Sequence, residues 1–71
     1  MSTFAWALDL IEQGYRAARY EWLGQAYIIY VPSDPSSHQV PYVAMKTGNS
    51  AFLPWVATEE DKVATDWYQV D

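Results

Sequence analysis

Ala26-Tyr27-Ile28-Ile29-Tyr30-Val31 is the run whose reading decides the fold. It is β-branched and aromatic throughout, the composition of a strand. Side chains alternate between the two faces of a sheet, and here both sets are apolar. Both faces therefore need cover. A helix can supply one cover, and a partner subunit is the expected source of the other.

Working outward, residues 4–13 read as that helix. Phe4, Ala7, Leu8 and Ile11 fall on one face of a 3.6-residue period, and Trp6 and Leu10 widen the stripe. Ser2 or Thr3 can cap its start, and Gly14 suits the position just past its end. Tyr15 to Tyr20 reads as a short strand. Pro32 to Gln39 is polar and turn-prone, a loop that leaves His38 facing solvent. Val40 to Lys46 and Ala51 to Val56 read as strands joined by Thr47-Gly48-Asn49-Ser50, with Pro54 marking an edge. Thr58, with Asp61 three residues on, reads as a capping box opening a helix that runs to about Ala64. Trp67 to Val70 makes the last strand. The expected fold is α+β: an N-terminal helix packed on a small, mainly antiparallel sheet, with one further short helix, in one domain over residues 1–71.

Composition narrows the function. A chain of 71 residues buries only about 60% of the surface that it exposes when unfolded. Small domains lean on disulfides, metals or oligomerisation. There are 0 cysteines and 1 histidine, which leaves oligomerisation. The 4 Trp, 6 Tyr and 2 Phe point the same way, because an aromatic surplus on a small domain marks an interface or a ligand site. The net charge of −5 argues against polymeric nucleic acid, which calls for basic patches. A small nucleotide remains compatible, with Arg16, Arg19, Lys46 and Lys62 as the available cations. No apolar run approaches the roughly 20 residues of a membrane span, and no signal peptide is evident. A soluble, cytoplasmic protein without a resident cofactor is expected.

Enzyme signatures are missing: no glycine-rich phosphate loop, no supported Ser-His-Asp set and no metal-ligand cluster. Other residues sit in more suggestive company. Arg19 and Trp22 precede Gly24, so a guanidinium fork for phosphate and an indole for stacking stand near a turn. The bland alternative makes Trp22 core and Arg19 a surface ion pair. Asp66, beside Trp67, suits a ribose hydroxyl or base amine, and equally an ion pair with Arg19 or Arg16. Met45 and Thr47 share one face of their strand and Lys46 takes the other, so Lys46 is expected to reach a site made with a neighbouring copy. Trp6 reads as helix packing, and Trp55, beside Pro54, as a subunit contact.

Five motifs in order resemble the Thoeris anti-defence two family of phage and prophage proteins. They are the helix Phe4 to Gly14, Arg19-x-x-Trp22-Leu23-Gly24, Pro41-Tyr42-Val43-Ala44-Met45-Lys46-Thr47, Pro54-Trp55-x-x-Thr58, and Asp66-Trp67. The resemblance implies a non-enzymatic sponge. Such proteins are α+β homotetramers that bind cyclic nucleotide immune signals and hold them intact in the host cytosol. The main signal is a glycocyclic ADP-ribose made by TIR-domain enzymes of Thoeris defence. Some members also resemble binders of CBASS cyclic dinucleotides at a separate site. Carried over by motif, the ligand-binding residues are Trp22, Gly24, Met45, Lys46, Thr47, Asp66 and Trp67, with Arg19 on phosphate and Phe4 at the rim. Leu23 departs from the family's Asn, which bears on which signal is bound. The reading from another class is an interaction module that inhibits a host protein through an aromatic surface.

Overall fold

The computed structural model describes residues 2–48 and 51–70. Helix α1 (Phe4–Glu12) is followed by β1 (Arg16–Arg19), a 3-10 turn (Tyr20–Trp22), β2 (Ala26–Val31), β3 (Tyr42–Thr47), β4 (Leu53–Pro54), α2 (Glu59–Val63) and β5 (Trp67–Val70). The five strands form one antiparallel sheet in the order β4-β3-β2-β1-β5. The fold is α+β, with two helices and a sheet.

The cap of α1 is Thr3, whose hydroxyl accepts from the Trp6 amide at 3.2 Å. The helix ends at Gln13, and Gly14 takes φ +97°, a value that L side chains rarely adopt. The capping box of α2 is complete. The Asp61 amide donates to the Thr58 hydroxyl at 3.2 Å, and the Thr58 amide donates to the Asp61 carboxylate at 3.1 Å. These two caps fix where each helix starts, and so where it meets the sheet.

Strand alternation sorts the sheet into two faces. One carries Ala17, Ile28 and Trp67, which pack with Ala7 and Ile11 of α1 into the core. Tyr30, Val43 and Met45 extend that face. The opposite face carries Tyr27, Ile29, Lys46 and Tyr68, and no helix lies over it. Ile28 is fully buried while Ile29 is half-buried, so the apolar run has one covered side and one open side.

Several boundaries differ from the sequence reading. The first strand stops at Arg19, and Tyr20–Trp22 close into a 3-10 turn. The third begins at Tyr42, because Val40 follows a hairpin-like loop bridged from Asp34 to Gln39. His38 sits exposed in that loop at φ +59°. The fourth strand shrinks to two residues, since Pro54 has no amide to donate. Asn49 and Ser50 of the expected turn lie outside the described residues. Trp6 does not join the core stripe and is 38% exposed.

Candidate aromatic and acidic site at the end of the sheet

One end of the covered face gathers four large rings. Trp22 lies edge-on to Trp67, with centroids 5.2 Å apart, and edge-on to Trp55 at 6.1 Å. Phe4 completes the group at 5.5 Å from Trp67 and 6.2 Å from Trp55. Edge-to-face geometry lets positive ring edges meet negative ring faces. Trp67 is the buried member, and its indole N–H donates to the Asp61 carbonyl at 3.2 Å. Trp22, Trp55 and Phe4 are half-buried. Trp67 therefore backs the cluster, and the other three reach its surface. Trp55 was absent from the sequence-derived ligand set, although the Pro54-Trp55 motif marked it.

The turn after Trp22 holds Leu23 at φ +56° and Gly24 at φ +76°. Space beside Gly24 is open: a Cβ built there meets nothing within 4 Å. Gly48 donates its amide to the Gln25 carbonyl at 2.9 Å, which ties this turn to the end of β3. Thr47 is paired across the sheet with Ala26, two residues beyond Gly24. Met45 packs into the core one step further along β3.

Arg19 lies below this turn and is 7% exposed. Its Nε donates to Asp66 and its Nη1 to Asp61, both at 2.8 Å. Glu21 is 3.0 Å and Glu60 3.9 Å from the same guanidinium. The Asp66 carboxylate also accepts from the Glu21 amide at 3.1 Å, holding the 3-10 turn in place. Hydrogen bonding to Asp66 raises the Arg19 pKa against the opposing effect of burial. Donation from Arg19 holds the Asp66 carboxylate below its ordinary range. Burial pushes Asp61 up, but hydrogen bonds from Thr58 and Arg19 outweigh it and the net shift is downward.

These contacts sort the expected site residues. Phe4, Trp22, Gly24, Thr47, Met45 and Trp67 share one end of the covered face. Of the two partners open to Asp66, ligand or arginine, the structure gives it Arg19. The guanidinium expected at a phosphate is matched by carboxylates. Arg16 plays no part there and lies over the Tyr27 ring at 5.2 Å. Lys46 is on the opposite face of the sheet, as alternation required, with its ammonium 6.0 Å from the Phe52 centroid. The described residues of a single protomer enclose no ligand-sized cavity. The ring cluster offers an open surface.

The family model that matches this chain is described as the Thoeris anti-defense 2-like domain, and it covers residues 2–70. No curated protein sequence matches the chain.

Proposed function

The chain belongs to the Thoeris anti-defense 2-like family and has a Thoeris anti-defence role; from that premise we propose that it is a sponge. In this reading it binds cyclic nucleotide immune signals as a homotetramer, in the host cytoplasm, and holds them without cleavage. The principal ligand is a glycocyclic ADP-ribose, and CBASS cyclic dinucleotides are a second class. In this reading no described residue serves as an acid, base or nucleophile toward the bound signal.

The observation that carries this reading is the pairing of half-buried Trp22 with an open glycine turn. Trp22 offers a ring for a base, and Gly24 lets a flat or anionic group approach the backbone. Phe4 and Thr47 stand at the rim, and Met45 and Trp67 form the support beneath. Arg19 and Asp66 serve the site by fixing the turn that presents Trp22. Lys46 enters from a second copy, because its own sheet separates it from the ring cluster.

The test is to incubate the protein with a panel of cyclic nucleotides, remove unbound ligand, heat, and chromatograph what is released. An intact cyclic nucleotide is expected, and a cleaved product would sink the sponge reading. Trp22→Ala is expected to lower retention by at least tenfold while leaving the assembly's mass unchanged.

A further inference from the structure

Helix α2 meets the rest of the chain in an unusual way. A surface helix ordinarily turns apolar side chains inward. In α2 the inward residue is an acid. Asp61 is 7% exposed, while Glu59, Glu60 and Lys62 face solvent and Val63 is 76% exposed. Taking a carboxylate out of water costs free energy. The helix cap does not require that cost, because a capping box also works with a neutral glutamine at this position. The buried charge therefore calls for a reason beyond the cap.

Every polar atom of Asp61 is engaged. Its amide donates to the Thr58 hydroxyl at 3.2 Å. Its Oδ2 accepts from the Thr58 amide at 3.1 Å and from the Thr58 hydroxyl at 3.0 Å. Its Oδ1 accepts from Arg19 Nη1 at 2.8 Å, and its carbonyl accepts from the Trp67 indole at 3.2 Å. These connections lead to three different indoles. Trp67 is held directly. Trp55 lies three residues before Thr58, on the segment that ends against the Asp61 carboxylate. Trp22 is reached through Arg19, whose Nε donates to Asp66, which in turn accepts from the Glu21 amide of the 3-10 turn. The three indoles pack edge-on to one another, with centroids 5.2, 6.1 and 6.3 Å apart.

We propose that Asp61 is a positioning residue for the aromatic site. Its buried carboxylate sets the mutual orientation of Trp22, Trp55 and Trp67, and so whether a base can stack there. The proposal rests on the nucleotide-binding reading above and adds a residue that touches no ligand. A site gains affinity when supporting groups fix its contact groups in advance. Side-chain length is the sensitive variable. Asp61 meets Thr58 with one oxygen and Arg19 with the other. An acid one methylene longer still caps the helix, but it displaces the guanidinium and with it the turn that carries Trp22.

The experiment compares the full chain with Asp61→Glu and Asp61→Asn, and with Glu59→Gln as a control in the same helical turn. Each is read for retention of the cyclic nucleotide panel, for melting temperature, and for the tryptophan exciton couplet in circular dichroism. The couplet depends on how neighbouring indoles are oriented. Asp61→Glu is expected to melt close to the wild type, to lose the couplet and to retain nucleotide about tenfold less tightly. Asp61→Asn is expected to lose couplet and retention together with some thermal stability. Glu59→Gln should keep all three. A wild-type couplet and wild-type retention in Asp61→Glu would mean that any capping acid serves, and would overturn the proposal. Failure of both Asp61 variants to fold also overturns it, because the carboxylate is then a stability element alone. The couplet needs no ligand. A wild type that retains no nucleotide therefore sinks the sponge reading, while a couplet lost in Asp61→Glu still supports the positioning role and one kept still overturns it.

Discussion

The two faces of the sheet come from the same strands by the same alternation, yet they handle polar groups in opposite ways. On the covered face, Arg19 meets Asp61 and Asp66 at 2.8 Å each, and the Trp67 indole finds the Asp61 carbonyl. Among the described residues no buried side-chain polar atom lacks a partner. On the open face, Arg16 and Lys46 rest on rings without a carboxylate partner among the described residues. The first face satisfies its buried polar groups among its own side chains. The second is largely apolar along its strands and has no helix laid over it. Two adjacent residues, Trp67 and Tyr68, thus belong to different parts of the energetics.

That contrast breaks most clearly at those neighbours. Trp67→Ala should cost about 3–5 kcal/mol of stability, because it empties the centre of the core and strands the Asp61 carbonyl. Tyr68→Ala should cost the isolated protomer much less, on the order of 1 kcal/mol. Urea unfolding at low protein concentration measures both, and equal losses would mean that the open face is as closed as the other.

Removing the guanidinium is the next largest effect. Arg19→Met leaves Asp61 and Asp66 without their cation, at an expected cost of about 2–3 kcal/mol after allowance for the partial exposure of Asp66. Arg19→Lys should recover only part of it, since an ammonium cannot reach both carboxylates as a planar fork does. Loss of nucleotide retention alongside a shifted unfolding midpoint fits a residue that fixes the Trp22 turn. Lost retention with unchanged stability would return Arg19 to the phosphate.

Acid should act through the same group of residues. Asp61 and Asp66 both titrate below the ordinary carboxylate value of 3.8 in the folded chain. Their contribution is therefore fully present above that value and is lost as pH falls through the lowered folded values. The wild type should lose stability on that descent, and Arg19→Met should show a flatter profile there. Parallel profiles from thermal melts across that range would argue that Arg19 does not hold these acids.

The smallest expected effect lies where the two faces meet. Leu23 is held at φ +56° with 81% of its surface exposed. Asn visits that conformation more readily than Leu. Leu23→Asn should therefore raise protomer stability by about 0.5–1 kcal/mol, read as a higher melting temperature. Its effect on the panel of nucleotides shows whether the apolar side chain selects the ligand.

Much of the fold was legible because its signals are local. The run from Ala26 to Val31 and the segment Trp67 to Val70 are strands by composition, and both are found at those bounds. The Thr58 capping box needed only residues three apart. The 3-10 turn at Tyr20–Trp22 was missed because its tie, the Asp66 carboxylate to the Glu21 amide, spans 45 residues. The fourth strand was overlong because its apolar composition outweighed the missing Pro54 amide. Among site residues, alternation alone separated Lys46 from Met45 and Thr47. It said nothing of Trp55 joining Trp22 and Trp67.

By itself, the sequence determined the α+β class, the helix caps, two strands whole and the five ordered motifs. Periodicity, composition and cap spacing are properties of neighbouring residues, so a single chain displays them. Only the tertiary structure decided that Arg19 belongs with Asp61 and Asp66, that Trp67 lies behind Trp22, and which face of Ala26–Val31 stays open. Those outcomes depend on which distant groups share a low-dielectric interior, where a cation takes the nearest carboxylates. Only closure of the fold makes them neighbours.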